Sequence, residues 1–229
     1  MASEQDIRAG IVEAATRMRR EGLVAGTAGN VSARVPGTAQ FWITPSGVDY
    51  ATLAADSLVC VDLAGRTLAG GLKPSSDIGN HAAIYRRRDD VSAIVHTHSP
   101  YATVFAVLRR EIPALLVEAA GYLGGAVPVM EYLPPASPEL GERAAQGLGP
   151  HRAVLLPNHG VIAVGDSADS ALNAAILVEQ SARVAYLASL LGEPVPVPPG
   201  EVERMHQFLH HQYGQRQAPA APGGSGGSP

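Results

Sequence analysis

Apolar residues recur at helical spacing near the start of the chain. Ile7, Ile11, Ala14, Ala15 and Met18 share one face, Ser3 and Asp6 supply a capping box ahead of them, and Gly22 ends the pattern. This predicts an amphipathic first helix. From 23 to 72 the period changes: short apolar runs at 41–43, 58–61 and 67–68 alternate with clusters of Gly, Pro, Asp and Ser, the chemistry of strands and turns. Beyond them the pattern predicts helices over 76–88, 99–110, 137–148 and about 200–212, with one long helix over 167–191. A buried strand is expected at 92–97 and the two strands of a hairpin at 152–156 and 161–164. The closing APAAPGGSGGSP has nothing to bury, so residues 215–229 are expected to be a disordered tail behind a domain of mixed α and β structure over 1–214.

Composition narrows the class. At 229 residues, 46% of them apolar, the chain can bury a full core as one domain. A net charge of −4, with no basic block longer than Arg86–Arg88, gives no footprint for nucleic acid. The N-terminus lacks a basic segment followed by an apolar one, and no apolar run reaches the ~18 residues that span a bilayer, so a cytoplasmic protein without a membrane partner is expected. The single cysteine, Cys60, cannot form an internal disulfide and falls at a strand position expected in the core.

Three stretches carry candidate anion-binding chemistry. In GTAGNVS (26–32) glycines flank small hydroxyl and amide side chains, so the backbone can turn tightly and expose N–H groups; TPSG (44–47) has the same character. Ser75 and Ser76 stand where a helix is expected to start, adding hydroxyls to the free N–H groups of a first turn. Each cluster alone is an ordinary turn; together they suggest one phosphate pocket. The histidines add a metal. His96 and His98, two apart in a strand, point to one face, His159 lies at the turn of the later hairpin, and Asp77 is a nearby carboxylate. Three imidazole nitrogens and a carboxylate suit Zn²⁺, while spacing alone equally allows satisfied core or turn histidines. Plainer roles are expected elsewhere: His81 on a helix face, Arg86–Arg88 with Asp89 and Asp90 at a solvated helix end, and His206, His210 and His211 at the surface or a subunit contact.

These motifs, in this order, resemble those of the class II aldolase/adducin family: GTAGNVS (26–32), ITPSG (43–47), PSSD (74–77), HTH (96–98) and NHG (158–160), over about residues 4–214. The resemblance implies an α/β fold, three-layer α/β/α with a mixed, mostly antiparallel central sheet, assembled as a homotetramer with active sites between subunits. It assigns one zinc ion per subunit to His96, His98 and His159, with Asp77 as a further ligand and general base. It assigns the substrate phosphate to Thr27, Gly29, Asn30, Ser46, Gly47, Ser75 and Ser76, and an active-site role to Tyr213 in the Tyr213-Gly214 pair. The implied reaction is cleavage of a ketose 1-phosphate, L-fuculose 1-phosphate or a similar deoxy-ketose 1-phosphate, to dihydroxyacetone phosphate and an aldehyde.

The chain departs from the family's aldolases at two positions. Asp77 replaces the usual glutamate, as in the related ribulose-phosphate 4-epimerases, and Val117 occupies the place of a tyrosine contributed by a neighbouring subunit, with Glu118 or Tyr122 as nearby substitutes. Epimerisation, or decarboxylation of a sugar-acid phosphate, through the same enediolate therefore stays open, as does a non-catalytic adducin-like module, against which the intact histidine set argues. An imine mechanism needs a lysine amine, and Lys73 is the only lysine, expected beside the anion pocket or in solvent.

Overall fold

The computed structural model describes residues 3–134, 137 and 139–211, with only the backbone of His210 and His211. Seven strands form one sheet: β1 (Asn30–Arg34), β2 (Gln40–Ile43), β3 (Val59–Asp62), β4 (Thr67–Ala69), β5 (Ala93–Thr97), β6 (Ala153–Leu156) and β7 (Gly160–Gly165). Their order is β4-β3-β2-β1-β5-β7-β6 and every neighbouring pair is antiparallel. The parallel contact among the described residues is an isolated bridge, Val129 to Leu155.

Period-2 alternation divides the sheet's side chains between two helical layers. Val31, Val95, Leu155 and Ala163 face one core with Ile11 and Met18 of α1 (Glu4–Arg20) and Leu172 and Val178 of α6 (Ala168–Ser189). Ile43, Ile94, Val154 and Ile162 face the other, with Ile84 and Tyr85 of α2 (Ile78–Arg87) and Leu148 of α5 (Leu140–Leu148). Helix α3 (Pro100–Leu108) packs on α6 in the first layer. This is the three-layer arrangement, and the two capping boxes, Ser3 with Asp6 and Ser167 with Ser170, start its two longest helices.

Two elements differ from the reading of the sequence. Strand β1, at the centre of the sheet, was expected only as an anion loop because Asn30, Ser32 and Arg34 look like turn chemistry; they are one face of a strand whose other face is Val31 and Ala33. Helix α4 (Val117–Leu123) is too short to display a period. It receives α7 (Pro199–His211) where Gly121 lies under Met205, and His206 Nδ1 hydrogen-bonds the Gly121 carbonyl at 2.8 Å, so His206 ties two helices together within the chain. At the end of α2, the exposed Arg86 and Arg87 both reach Glu142 of α5, so the solvated end expected there also links two helices.

Candidate functional site

The loop before β1 reaches the sheet through Gly29. Its φ is +76°, and a Cβ there would stand 2.5 Å from the His96 carbonyl oxygen, so only glycine allows this approach. The second loop leaves β2 and is laced to the segment before α2. Ser46 N–H donates to the Lys73 carbonyl at 2.9 Å and Ser75 N–H to the Thr44 carbonyl at 3.2 Å. The Lys73 side chain itself is exposed. Asp77 is the N-cap residue of α2, and its N–H donates to Ser75 Oγ at 3.3 Å. The helix therefore begins two residues later than expected, with both serines in the loop ahead of it.

These loops enclose a cavity of about 270 Å³ whose walls include Thr27, Gly29, Asn30, Ser46, Gly47, Ser75, Ser76, Asp77, His98 and His159. All seven candidate phosphate residues thus share one space with the carboxylate and two of the histidines. His96 closes the cluster from behind. It lies opposite Asn30 in the β1–β5 register, and its ring stands edge-on to both partners, with centroids 4.8 Å from His98 and 4.6 Å from His159. His159 comes from the β6–β7 turn, where Asn158 adopts a left-handed φ of +56° and Gly160 packs on Thr97 so closely that a Cβ would run into the Thr97 carbonyl oxygen.

The donor set fits a metal ion. The Val161 carbonyl can only accept, so the 2.8 Å contact from His96 Nδ1 places the proton on that nitrogen and leaves Nε2 as a lone pair. That Nε2 lies 3.0 Å from Nε2 of His98 and 3.2 Å from Nε2 of His159. An ion bound through nitrogens at about 2.0–2.1 Å in tetrahedral fashion holds them roughly 3.3 Å apart. Burial pushes the His96 imidazole down to about 3, and burial together with the charge of His159 lowers His98, so these two are neutral ligands at ordinary pH. The three histidines could hold a metal among the described residues.

Asp77 stands beside this cluster, its Oδ2 3.8 Å from His96 Nε2. Asn30 Nδ2 donates to Oδ2 at 2.7 Å and Asn80 Nδ2 to Oδ1 at 3.3 Å. Burial works to raise the carboxyl, and the pull of His96 and His81 with the Asn30 hydrogen bond overcomes it, holding Asp77 below its ordinary value and ionised.

Other expectations fare differently. Tyr213 lies outside the described residues. Tyr122 packs within the chain, its hydroxyl donating to the Ser170 carbonyl at 3.1 Å and its ring under Arg152. Val117 and Glu118 are exposed at the start of α4. His81 is not a helix-face residue: it is fully buried, with Nδ1 2.6 Å from Ser32 Oγ. The contact joins a helix residue one turn after Asp77 to a strand residue two after Asn30, with Tyr85 one turn further along the helix.

A profile of the Class II Aldolase and Adducin N-terminal domain family matches residues 9–186. The chain belongs to the class II aldolase family. This class II aldolase is 35% identical to the 5-deoxy-D-ribulose 1-phosphate aldolase of Bacillus thuringiensis serovar kurstaki over 212 residues, 93% of this chain and 99% of that one. It is 38% identical to the L-fuculose phosphate aldolase of Escherichia coli over 190 residues, 82% of this chain and 86% of the relative. Among solved structures, an L-fuculose 1-phosphate aldolase superposes with a TM-score of 0.86 at 36% identity, covering 92% of this chain and 98% of its own. With such relatives along nearly its whole length, the class II aldolase described here is an aldehyde-lyase.

Proposed function

We propose that the enzyme cleaves a 5-deoxy-type ketose 1-phosphate, such as 5-deoxyribulose, 5-methylthioribulose or L-fuculose 1-phosphate, to dihydroxyacetone phosphate and an aldehyde, with one zinc ion per subunit. The observation that carries this reading is the single cavity in which the phosphate-type loops, the Asp77 carboxylate and the three-histidine cluster converge. The names of relatives 35–38% identical support this substrate class.

In this reading the N–H groups and hydroxyls of Thr27, Asn30, Ser46, Gly47, Ser75 and Ser76 grip the phosphate, which sets the distance from the phosphate to the carbon being broken. His96, His98 and His159 hold the ion, which when bound supplies Lewis-acid polarisation of the substrate carbonyl. Asp77, ionised and oriented by Asn30 and Asn80, moves the proton at C3 of the phosphate-bearing product. Tyr213 takes the active-site role that the family resemblance implies for it, and Val117 leaves the aldehyde-end acid unfilled. Lys73, exposed and not among the residues lining the cavity, takes no part, which disfavours an imine route.

The same reading places the enzyme in the cytoplasm as a homotetramer. Support for the assembly comes from an apolar ridge at the ends of α3 and α6, where Val107, Leu108, Leu190 and Leu191 are all exposed. A second reaction, 4-epimerisation of a ribulose phosphate or decarboxylation of a sugar-acid phosphate, is favoured by Asp77 standing where the family's aldolases place a glutamate. One experiment separates them: the zinc-loaded protein is incubated with a panel of 1-phosphoketoses and with ribulose 5-phosphate, and dihydroxyacetone phosphate is assayed against epimerised product. Release of dihydroxyacetone phosphate supports the proposal; epimerised pentose phosphate without cleavage overturns it.

A further inference from the structure

Behind the cavity, β1 and α2 face each other through a ladder of polar side chains. Asn30, Ser32 and Arg34 alternate along one face of the strand, and Asp77, His81 and Tyr85 follow at four-residue intervals along the helix. The rungs match in order. Asn30 donates to Asp77 at 2.7 Å, Ser32 Oγ lies 2.6 Å from His81 Nδ1 and 2.8 Å from the Tyr85 hydroxyl, and the Arg34 guanidinium sits 4.6 Å from the centre of the Tyr85 ring while hydrogen-bonding the Tyr85 carbonyl. Ser32, His81 and Tyr85 are wholly buried. A run of polar groups this deep in the α2-side core is costly unless each is satisfied.

Hydrogen-bond accounting fixes the protons. Ser32 Oγ has one proton and two neighbours. If His81 Nδ1 donated to it, the hydroxyl proton of either Ser32 or Tyr85 would be buried without an acceptor among the described residues. With the His81 proton on Nε2 instead, Tyr85 O–H donates to Ser32 Oγ and Ser32 O–H to His81 Nδ1, and the one proton left without a partner in this group is that on Nε2. Two buried side-chain atoms of the described residues have no hydrogen-bond partner there, His81 Nε2 and Asn30 Oδ1. One is a donor by this accounting. The other is an acceptor, because the Asn30 nitrogen is the atom turned to the Asp77 carboxylate.

We infer that His81 is a positioning residue of the reaction: its Nε2–H, set by the Tyr85–Ser32 chain, engages Asn30 Oδ1 through one bridging water, and so holds the Asn30 carboxamide in the orientation that donates to Asp77. Asn30 could otherwise rotate and present its oxygen to the carboxylate. The inference rests on the reading of Asp77 as the base, and it adds a chain of three residues, none of which lines the cavity, that keeps that base aimed.

Two measurements test it. In ¹⁵N-labelled protein without substrate, long-range ¹H–¹⁵N correlation should show the His81 ring as the Nε2–H tautomer, and Ser32→Ala should shift it toward Nδ1–H. An Nδ1–H tautomer in the wild type overturns the inference. In turnover with the cleaved ketose 1-phosphate, His81→Leu should lower kcat about 10–100-fold, the scale for outer partners of a functional group, with KM within twofold and metal content unchanged. His81→Gln, whose amide can present a donor near the Nε2 position, should recover most of that loss. Equal kcat in His81→Leu and wild type, or a loss in His81→Leu that His81→Gln fails to recover in folded, metal-loaded protein, also overturns it. A wild type that cleaves no ketose 1-phosphate counts against the proposed function alone, because the tautomer of His81 is read without substrate and decides the inference by itself.

Discussion

Nε2 of His96 and Nε2 of His159 lie 3.2 Å apart although 63 residues separate them in the chain. One sits on a central strand and the other in the turn of the terminal hairpin, and β5 pairs with β7 in a register that sets Thr97 against Val161. The site's geometry is therefore a property of the sheet's register, and changes to that register should be felt as changes in chemistry.

Asp77→Asn keeps the size of the side chain and removes its basicity. Turnover should fall by about 10²–10⁴-fold, the usual contribution of a positioned general base. Zinc content should stay near one per subunit, since the three imidazoles remain. Steady-state kinetics with metal analysis checks both, and wild-type turnover at full occupancy would remove Asp77 from the mechanism.

Ser75→Ala deletes one hydroxyl from the anion cavity. Binding of the phosphorylated substrate should weaken by about 1.5–3 kcal/mol, the scale of a hydrogen bond to a charged group, while the unphosphorylated sugar is affected little. Comparing KM and kcat/KM for the two substrates tests whether Ser75 recognises phosphate.

Gly160→Ala forces a methyl against the Thr97 carbonyl and to within 3.1 Å of the His98 ring. Overpacking of this kind costs about 1–3 kcal/mol. The loss should appear both as a lower Tm and as weaker metal retention, because the shift falls between two ligands. Thermal unfolding followed beside a chelator titration reads both effects, and an unchanged metal affinity would show that the strand contact is independent of the cluster.

Acid should destabilise the metal-free protein over a defined window. Burial depresses His81 to about 4 and His96 to about 3, so between these values and about 6.5 the unfolded chain binds protons that the folded one does not. More protons bound in the unfolded state means stability rises with pH, at about 1.4 kcal/mol per pH unit for each histidine. Asp77, lowered instead from a carboxylate's ordinary range, adds its own loss only at more acid pH. Urea unfolding of the apo protein at pH 7, 6 and 5 should show this slope, reduced in His81→Leu; a flat profile would show that these histidines ionise alike in both states.

Much of the site was legible because its chemistry is local in sequence. Glycine with small hydroxyl residues announces a loop that exposes N–H groups, and two histidines two apart in an apolar run announce one strand face. The hairpin at 152–164 and the two capped helices were readable for the same reason. What escaped is set by tertiary contacts. NVSAR read as loop because its polar residues face a polar ladder instead of solvent, and His81 read as a plain helix-face residue because a sequence does not show that Ser32 stands opposite. Seven-residue α4 has too few turns to display a period, and its place depends on α7 packing against Gly121.

The loops of the candidate anion cavity come from three separated stretches, 27–30, 45–47 and 75–77, the last two laced together by backbone hydrogen bonds. No partly folded chain with one of these loops out of place can present the whole set. Any anion that occupies the cavity is thus bound by the native state and not by the unfolded one, and it stabilises the fold by mass action, about 2.7 kcal/mol at a free concentration one hundred times Kd. The enzyme's resistance to heat should therefore track the supply of whatever anion fills the cavity.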